Sequence, residues 1–210
     1  MRIIVTIGAA AILACSAAAC TDKGQQAAPA PVPAAAALSK SLQHRDAEKT
    51  YWALTKGVPH PLRGRIRSAL GKGLVGSNEK MSEVEPGSEG AKAAVTDYAV
   101  IDTAGREFAW VAVKPVTGRM HQIRVHLASL GTPVVGDFKY GGAAARGSGE
   151  IENRLHLHAQ SIDIAHPDGG RLQVTAPLPP HMQKTWTLLG FDPADAVSAP
   201  IGPRRHSRKR

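Results

Sequence analysis

Lys114 to Gly142 reads KPVTGRMHQIRVHLASLGTPVVGDFKYGG, and how it is understood decides the organisation of the whole chain. Met120, Ile123, Leu127 and Leu130 recur at spacings of three and four, the period of a helix with one apolar face. Thr117 stands where an N-cap is expected, and Gly131 where a left-handed C′ residue ends such a helix. The stripe leaves His121, Gln122 and Arg124 on other faces. Arg119 falls in the first turn, where it adds to the positive helix end, and Arg124 offers a planar fork of donors suited to a carboxylate or a phosphate. The residues alone leave three uses open: a phosphate clamp, an arginine that holds a catalytic carboxylate, or an amphipathic helix whose arginines are solvated.

On the N-terminal side, VTDYAVID and REFAWVAVKP flank Thr103-Ala104-Gly105, a hairpin signal. Earlier still, KTYWALTKGVP reads as a strand with Tyr51, Ala53 and Thr55 alternating and Gly57 and Pro59 closing it. RGRIRSAL suggests a second short strand, and AAAALSKSLQ from Ala34 a helix that ends near His44. Lys72 to Ala91, rich in Gly, Ser and Glu, is expected as loop with at most a short strand. On the C-terminal side, LHLHAQSIDIAHP and GRLQVTAP pair around Asp168-Gly169-Gly170, and PPHMQKTWTLLG opens with prolines suited to a helix start. Many strands and few helices give an α+β class with a mixed, mainly antiparallel sheet.

The 210 residues are 43% hydrophobic and 20% charged, which excludes a disordered or fibrous chain. Lys+Arg 26 against Asp+Glu 17 leaves +9, a balance that favours a polyanionic partner, nucleic acid or an anionic membrane surface. Part of that charge, Arg204, Arg205, Arg208, Lys209 and Arg210, forms a terminal arm that serves as a solubilising end or a loose phosphate contact. Met1 to Ala14, MRIIVTIGAAAILA, has the length of a signal-peptide apolar core and is too short to span a bilayer comfortably. Cys15 and Cys20, the two cysteines, each follow an approximate lipoprotein cleavage box and are the lipidation candidates. The expected division is a leader over 1–20, an Ala/Pro-rich linker over 21–33, a folded domain over 34–195 and a basic tail over 196–210. A functional leader would anchor the chain at the cell envelope. His156 and His158 would share one face of a strand, but no Cys or acidic ligand accompanies them, so no metal is expected.

TGRMHQIRVHLASLGTPVVGDFKYG closely resembles the signature of the RluA-type RNA pseudouridine synthases: Gly-Arg, then His-Gln-Ile-Arg-x-His-Leu, then Gly-Asp and Tyr-Gly. EKTYWALTKGVP resembles that family's tyrosine motif, and RLHLHAQSIDIAHPDGGRLQVTAPLPPHM its C-terminal strand pair and closing segment. The ordered likeness runs from about Ala34 to Asp192. It implies an enzyme that converts selected uridines of ribosomal or transfer RNA to pseudouridine, in the cytoplasm, as a monomer, without cofactor or metal. The base is flipped into a pocket, an aspartate attacks, the glycosidic bond breaks, and the base rotates and reattaches through carbon. By position, the resemblance assigns Tyr51 to packing on the flipped base and Arg124 to pairing with the catalytic aspartate. Leu155 falls to the pocket lining, with Arg119 and Gln122 as RNA contacts. Met120 stands where threonine is common.

The family's nucleophile lies in a His-Arg-Leu-Asp motif followed by Thr-Ser-Gly, a few tens of residues before the tyrosine. Here that place holds the leader and the linker. The aspartates before Tyr51 are Asp22 and Asp46; His44-Arg45-Asp46 lacks the Thr-Ser-Gly that would make it the motif, and Asp137 is a structural candidate instead. The expectation is therefore an Arg124 without its family partner, in a partial catalytic domain that is inactive as it stands and joined near Pro33 to a lipoprotein-type leader. A non-catalytic RNA-binding remnant and an envelope lipoprotein of another role are the competing readings.

Overall fold

The computed structural model describes residues 2–6, 33–43, 47–75, 78–167, 169–198 and 201–203. Within them one sheet contains β1 (Arg2–Thr6), β2 (Glu48–Lys56), β3 (Arg63–Val75), β4 (Asn78–Val84), β5 (Lys92–Ala104), β6 (Phe108–Pro115), β7 (Leu157–Ala165) and β8 (Arg171–Thr175). The spatial order is β1-β8-β7-β2-β6-β5-β3-β4. Only β1 and β8 pair in parallel; the other neighbours are antiparallel. The helices are α1 (Pro33–Gln43), α2 (Gln122–Ser129), the short α3 (Phe138–Gly141) and α4 (Pro180–Leu189). The class is α+β, as the strand-rich pattern implies.

β2 and β6 lie side by side in the middle of the sheet, and their apolar runs, YWALT and FAWVAV, suit strands covered on both faces. Alternation sorts their side chains. Trp52, Leu54, Phe108 and Trp110 face Met182 and Trp186 of α4. Ala53, Val111 and Val113 face Ile123 and Leu127 of α2. The sheet therefore separates two apolar layers, and α2 sits against the end of β6, where a site can open beside it.

Two departures have physical reasons. The Gly/Ser/Glu-rich segment after Lys72 is not mainly loop: β3 runs on to Val75 and pairs with β4. Gly71 enables this fit, since a Cβ there would come within 3.1 Å of the Val84 side chain on the facing strand. Gly in a strand looks like a breaker from sequence and acts here as clearance. Second, α2 begins at Gln122, with His121 and not Thr117 as its N-cap. Arg2–Thr6, within the stretch expected as a leader, runs along β8 as an edge strand. Cys15, Cys20, the linker before Pro33, Asp46 and the arm from Arg204 lie outside the described residues. Among the described residues no helix is long and apolar enough to cross a membrane.

Two fully buried histidines tie elements together. His126 of α2 meets Thr96 Oγ1 through Nδ1 at 2.7 Å and Ser68 Oγ through Nε2 at 3.0 Å. His156 meets the Arg154 carbonyl at 2.6 Å and Thr185 Oγ1 of α4 at 2.9 Å. Burial pushes both below the ordinary 6.5. Each stays neutral when folded and takes up a proton on unfolding, so the stability it carries is present above pH 6.5 and is lost as pH falls below it. Urea titrations at a series of pH values are expected to show a midpoint that drops steadily below pH 6.5. In a His126→Gln, His156→Gln double variant most of that slope disappears, whatever its absolute stability.

Candidate active site

β6 leads into α2 through Val116 to His121, and this loop is pinned to β5. The Val116 N–H donates to the Val95 carbonyl at 2.9 Å, and the Val95 N–H donates to Thr117 Oγ1 at 2.9 Å. Gln122 completes the tie. Its Oε1 accepts from the Thr117 hydroxyl at 2.7 Å and the Arg119 N–H at 3.0 Å. Its Nε2 donates to the Val95 carbonyl and to Thr96 Oγ1, both at 2.9 Å. The amide is buried with every donor and acceptor position used.

A cavity of about 770 Å³ opens beside this loop. Its lining includes Lys49, Tyr51, Arg119, His121, Arg124 and Leu157. Tyr51 pairs with Ala159 and Ala53 with Leu157 across β2 and β7, so Tyr51 and Leu157 share a sheet face. The site thus combines an aromatic and an aliphatic wall with three cations, a composition that takes a flat, partly apolar group carried on an anionic chain.

Arg124 is fixed from below. Its Nε donates to Asp137 Oδ2 at 2.8 Å and its Nη2 to Oδ1 at 2.6 Å, a bidentate pair. The Asp137 side chain is 0% exposed and also accepts from the Tyr140 N–H at 3.2 Å, capping α3. Gly136 makes this approach possible, because its φ is 78° and a Cβ would run into the Arg154 carbonyl. The Asp137 carboxylate raises the Arg124 pKa, with burial working against it. The guanidinium also lies 4.8 Å from the centre of the Tyr140 ring. Nη1 makes no hydrogen bond among the described residues and remains available to an incoming acceptor.

Comparison with known proteins is specific. Residues 32–129 match the family model of the RNA pseudouridylate synthases. A Zymomonas mobilis relative, an uncharacterized RNA pseudouridine synthase, is 38% identical over 158 residues, covering 73% of this chain and 65% of that protein. The dual-specificity RNA pseudouridine synthase RluA of Escherichia coli is 35% identical over 133 residues, 63% of this chain and 58% of that one. The solved structure of human RNA pseudouridylate synthase domain containing 4 superposes with a TM-score of 0.61 at 26% identity, covering 75% of this chain and 68% of the other. The chain belongs to the RNA pseudouridine synthase family. It spans 40% of the mitochondrial RNA pseudouridine synthase 4 of Arabidopsis thaliana and 48% of a Chlorobaculum parvum relative, about half the length of such family members.

The structure brings Tyr51, Arg119, Gln122 and Arg124 to one cavity, with several corrections of role. Arg124 pairs with Asp137, the aspartate expected to be structural. Gln122 has no donor left for RNA and instead shapes the loop that presents Arg119. Arg119 precedes α2 and donates from Nε to the Ala93 carbonyl at 3.1 Å. Leu155 packs against the α2-side core, while Leu157, two residues on, lines the cavity. Met120, placed by its spacing on the core-facing stripe, is 54% exposed because it precedes the helix. His156 and His158 do not converge: His158 Nε2 meets the Ala176 carbonyl at 3.1 Å, and His156 packs on His181. Among the described residues no group of three metal-ligating side chains forms. Sequence reasoning missed His121, whose left-handed backbone leaves no sequence signal.

Proposed function

We propose that residues 34–195 are the uridine-holding part of a pseudouridine synthase acting on RNA, with ribosomal RNA as the first substrate class and transfer RNA the second. This chain as it stands does not complete the isomerisation. One observation carries the reading: the cavity has Tyr51 and Leu157 as walls and Lys49, Arg119 and Arg124 around it, with no carboxylate lining it among the described residues. A base flipped from its stack loses its neighbours, and the Tyr51 ring offers it a new stacking face. The cations meet the phosphates on either side. Arg124, held by Asp137, keeps Nη1 for a further carboxylate.

Asp137 does not serve as the attacking group. Its two oxygens are engaged and its side chain has no exposure, whereas covalent attack needs a carboxylate free to reach the nucleoside. Purified chain incubated with unmodified ribosomal RNA is therefore expected to leave pseudouridine at background when the RNA is mapped by chemical derivatisation. Formation of pseudouridine at a defined uridine would overturn the inactivity of this chain. Binding of the same RNA that weakens steeply with added salt supports the RNA-holding role.

A further inference from the structure

His121 is the single described non-glycine residue with a positive φ, 53°. A side chain is seldom held in that conformation and persists there where surrounding contacts over-determine it. Those contacts are present. His121 Nδ1 is 2.7 Å from the Tyr140 hydroxyl, and the two rings meet edge to face at 5.5 Å. Tyr140 is in turn held against the Arg124 guanidinium. The imidazole therefore stands fixed in the cavity wall, and Nε2 makes no hydrogen bond among the described residues.

The tautomer follows from Tyr140. We assign its hydroxyl hydrogen to His121 Nδ1, 2.7 Å away, since a Tyr hydroxyl can donate as well as accept. Burial, with Arg124 and Lys139 close by, lowers the His121 pKa and keeps the ring neutral. The remaining proton then sits on Nε2, a donor of fixed direction.

We propose that His121 is a specificity-determining residue of the base pocket, its Nε2–H donating to the O4 carbonyl of a flipped uracil. This rests on the pseudouridine synthase reading above. Tyr51 offers a stacking face that suits any base. His121 adds the distinction, because cytosine carries an amino group at that position. Donor would then meet donor, leaving a partly desolvated N–H unpaired.

The test compares oligouridine and oligocytidine of about ten nucleotides by fluorescence anisotropy with the full chain. Wild type is expected to bind oligouridine roughly tenfold more tightly, the size of one hydrogen bond gained and one mismatch avoided. His121→Gly removes the ring at a position whose backbone glycine adopts without strain, and is expected to bind both oligomers alike. His121→Gln, which keeps an N–H donor, retains part of the preference. A preference undiminished in His121→Gly overturns the proposal, as does a wild type that binds both oligomers equally. A wild type that binds neither contradicts the RNA-holding reading itself.

Discussion

Arg124→Leu lowers the stability of the folded domain by about 3–5 kcal/mol, read as a shift of the urea midpoint. The substitution leaves the Asp137 carboxylate, 0% exposed, with only the Tyr140 N–H as a partner. Removing one member of a buried pair strands the other charge, and that desolvation dominates any packing gained by leucine. The reverse change is milder. Asp137→Asn keeps an acceptor for Arg124 and for the α3 cap, and leaves a guanidinium that is 17% exposed and can reach water. The expected order, Arg124→Leu well below Asp137→Asn, separates a buried clamp from a surface ion pair, where both losses would stay below about 1 kcal/mol.

Trp110→Ala costs a similar amount, about 3–5 kcal/mol, for a different reason. Trp110 is 0% exposed at the centre of β6, with Trp52 at 4.8 Å, Trp186 at 5.6 Å and Phe191 at 6.0 Å between ring centres. Alanine leaves a hole that rings on three sides cannot close by small movements. Its indole N–H has no hydrogen-bond partner among the described residues, so Trp110→Phe gives up volume but relieves an unsatisfied donor. The phenylalanine variant is expected to recover most of the alanine loss. Equal losses for the two would mean that the N–H is satisfied, contrary to this packing.

How much of this was legible in the sequence depends on how local the cause is. The strand at Tyr51, the β5–β6 hairpin and α4 carry their causes within a few residues: alternation, a Gly-marked turn, prolines at a helix start. The β3–β4 hairpin does not, because its glycines serve a facing strand. The N-cap expected at Thr117 falls at His121 instead, because His121 takes its left-handed conformation against Tyr140, 19 residues further on. Gln122 has the chemistry of a ligand, and only its burial shows that the loop consumes it. Leu155 and Leu157 are equally apolar, and only pairing with β2 decides which one reaches the cavity. The Arg124 fork by itself suits a phosphate or a carboxylate, and only the family resemblance points to a carboxylate. Asp137 stands out in the sequence as a structural carboxylate, but its pairing with Arg124 depends on the close approach at Gly136, which no spacing announces.

The central claim is that the cavity seats a base against Tyr51. The direct test is the affinity of oligouridine for wild type, Tyr51→Phe and Tyr51→Ala at one ionic strength. Loss of the ring is expected to weaken binding by about 2 kcal/mol, roughly thirtyfold, with phenylalanine close to wild type. If Tyr51→Ala binds as tightly as wild type while neutralising Lys49 and Arg119 abolishes binding, the cavity is only a basic surface and the account is contradicted.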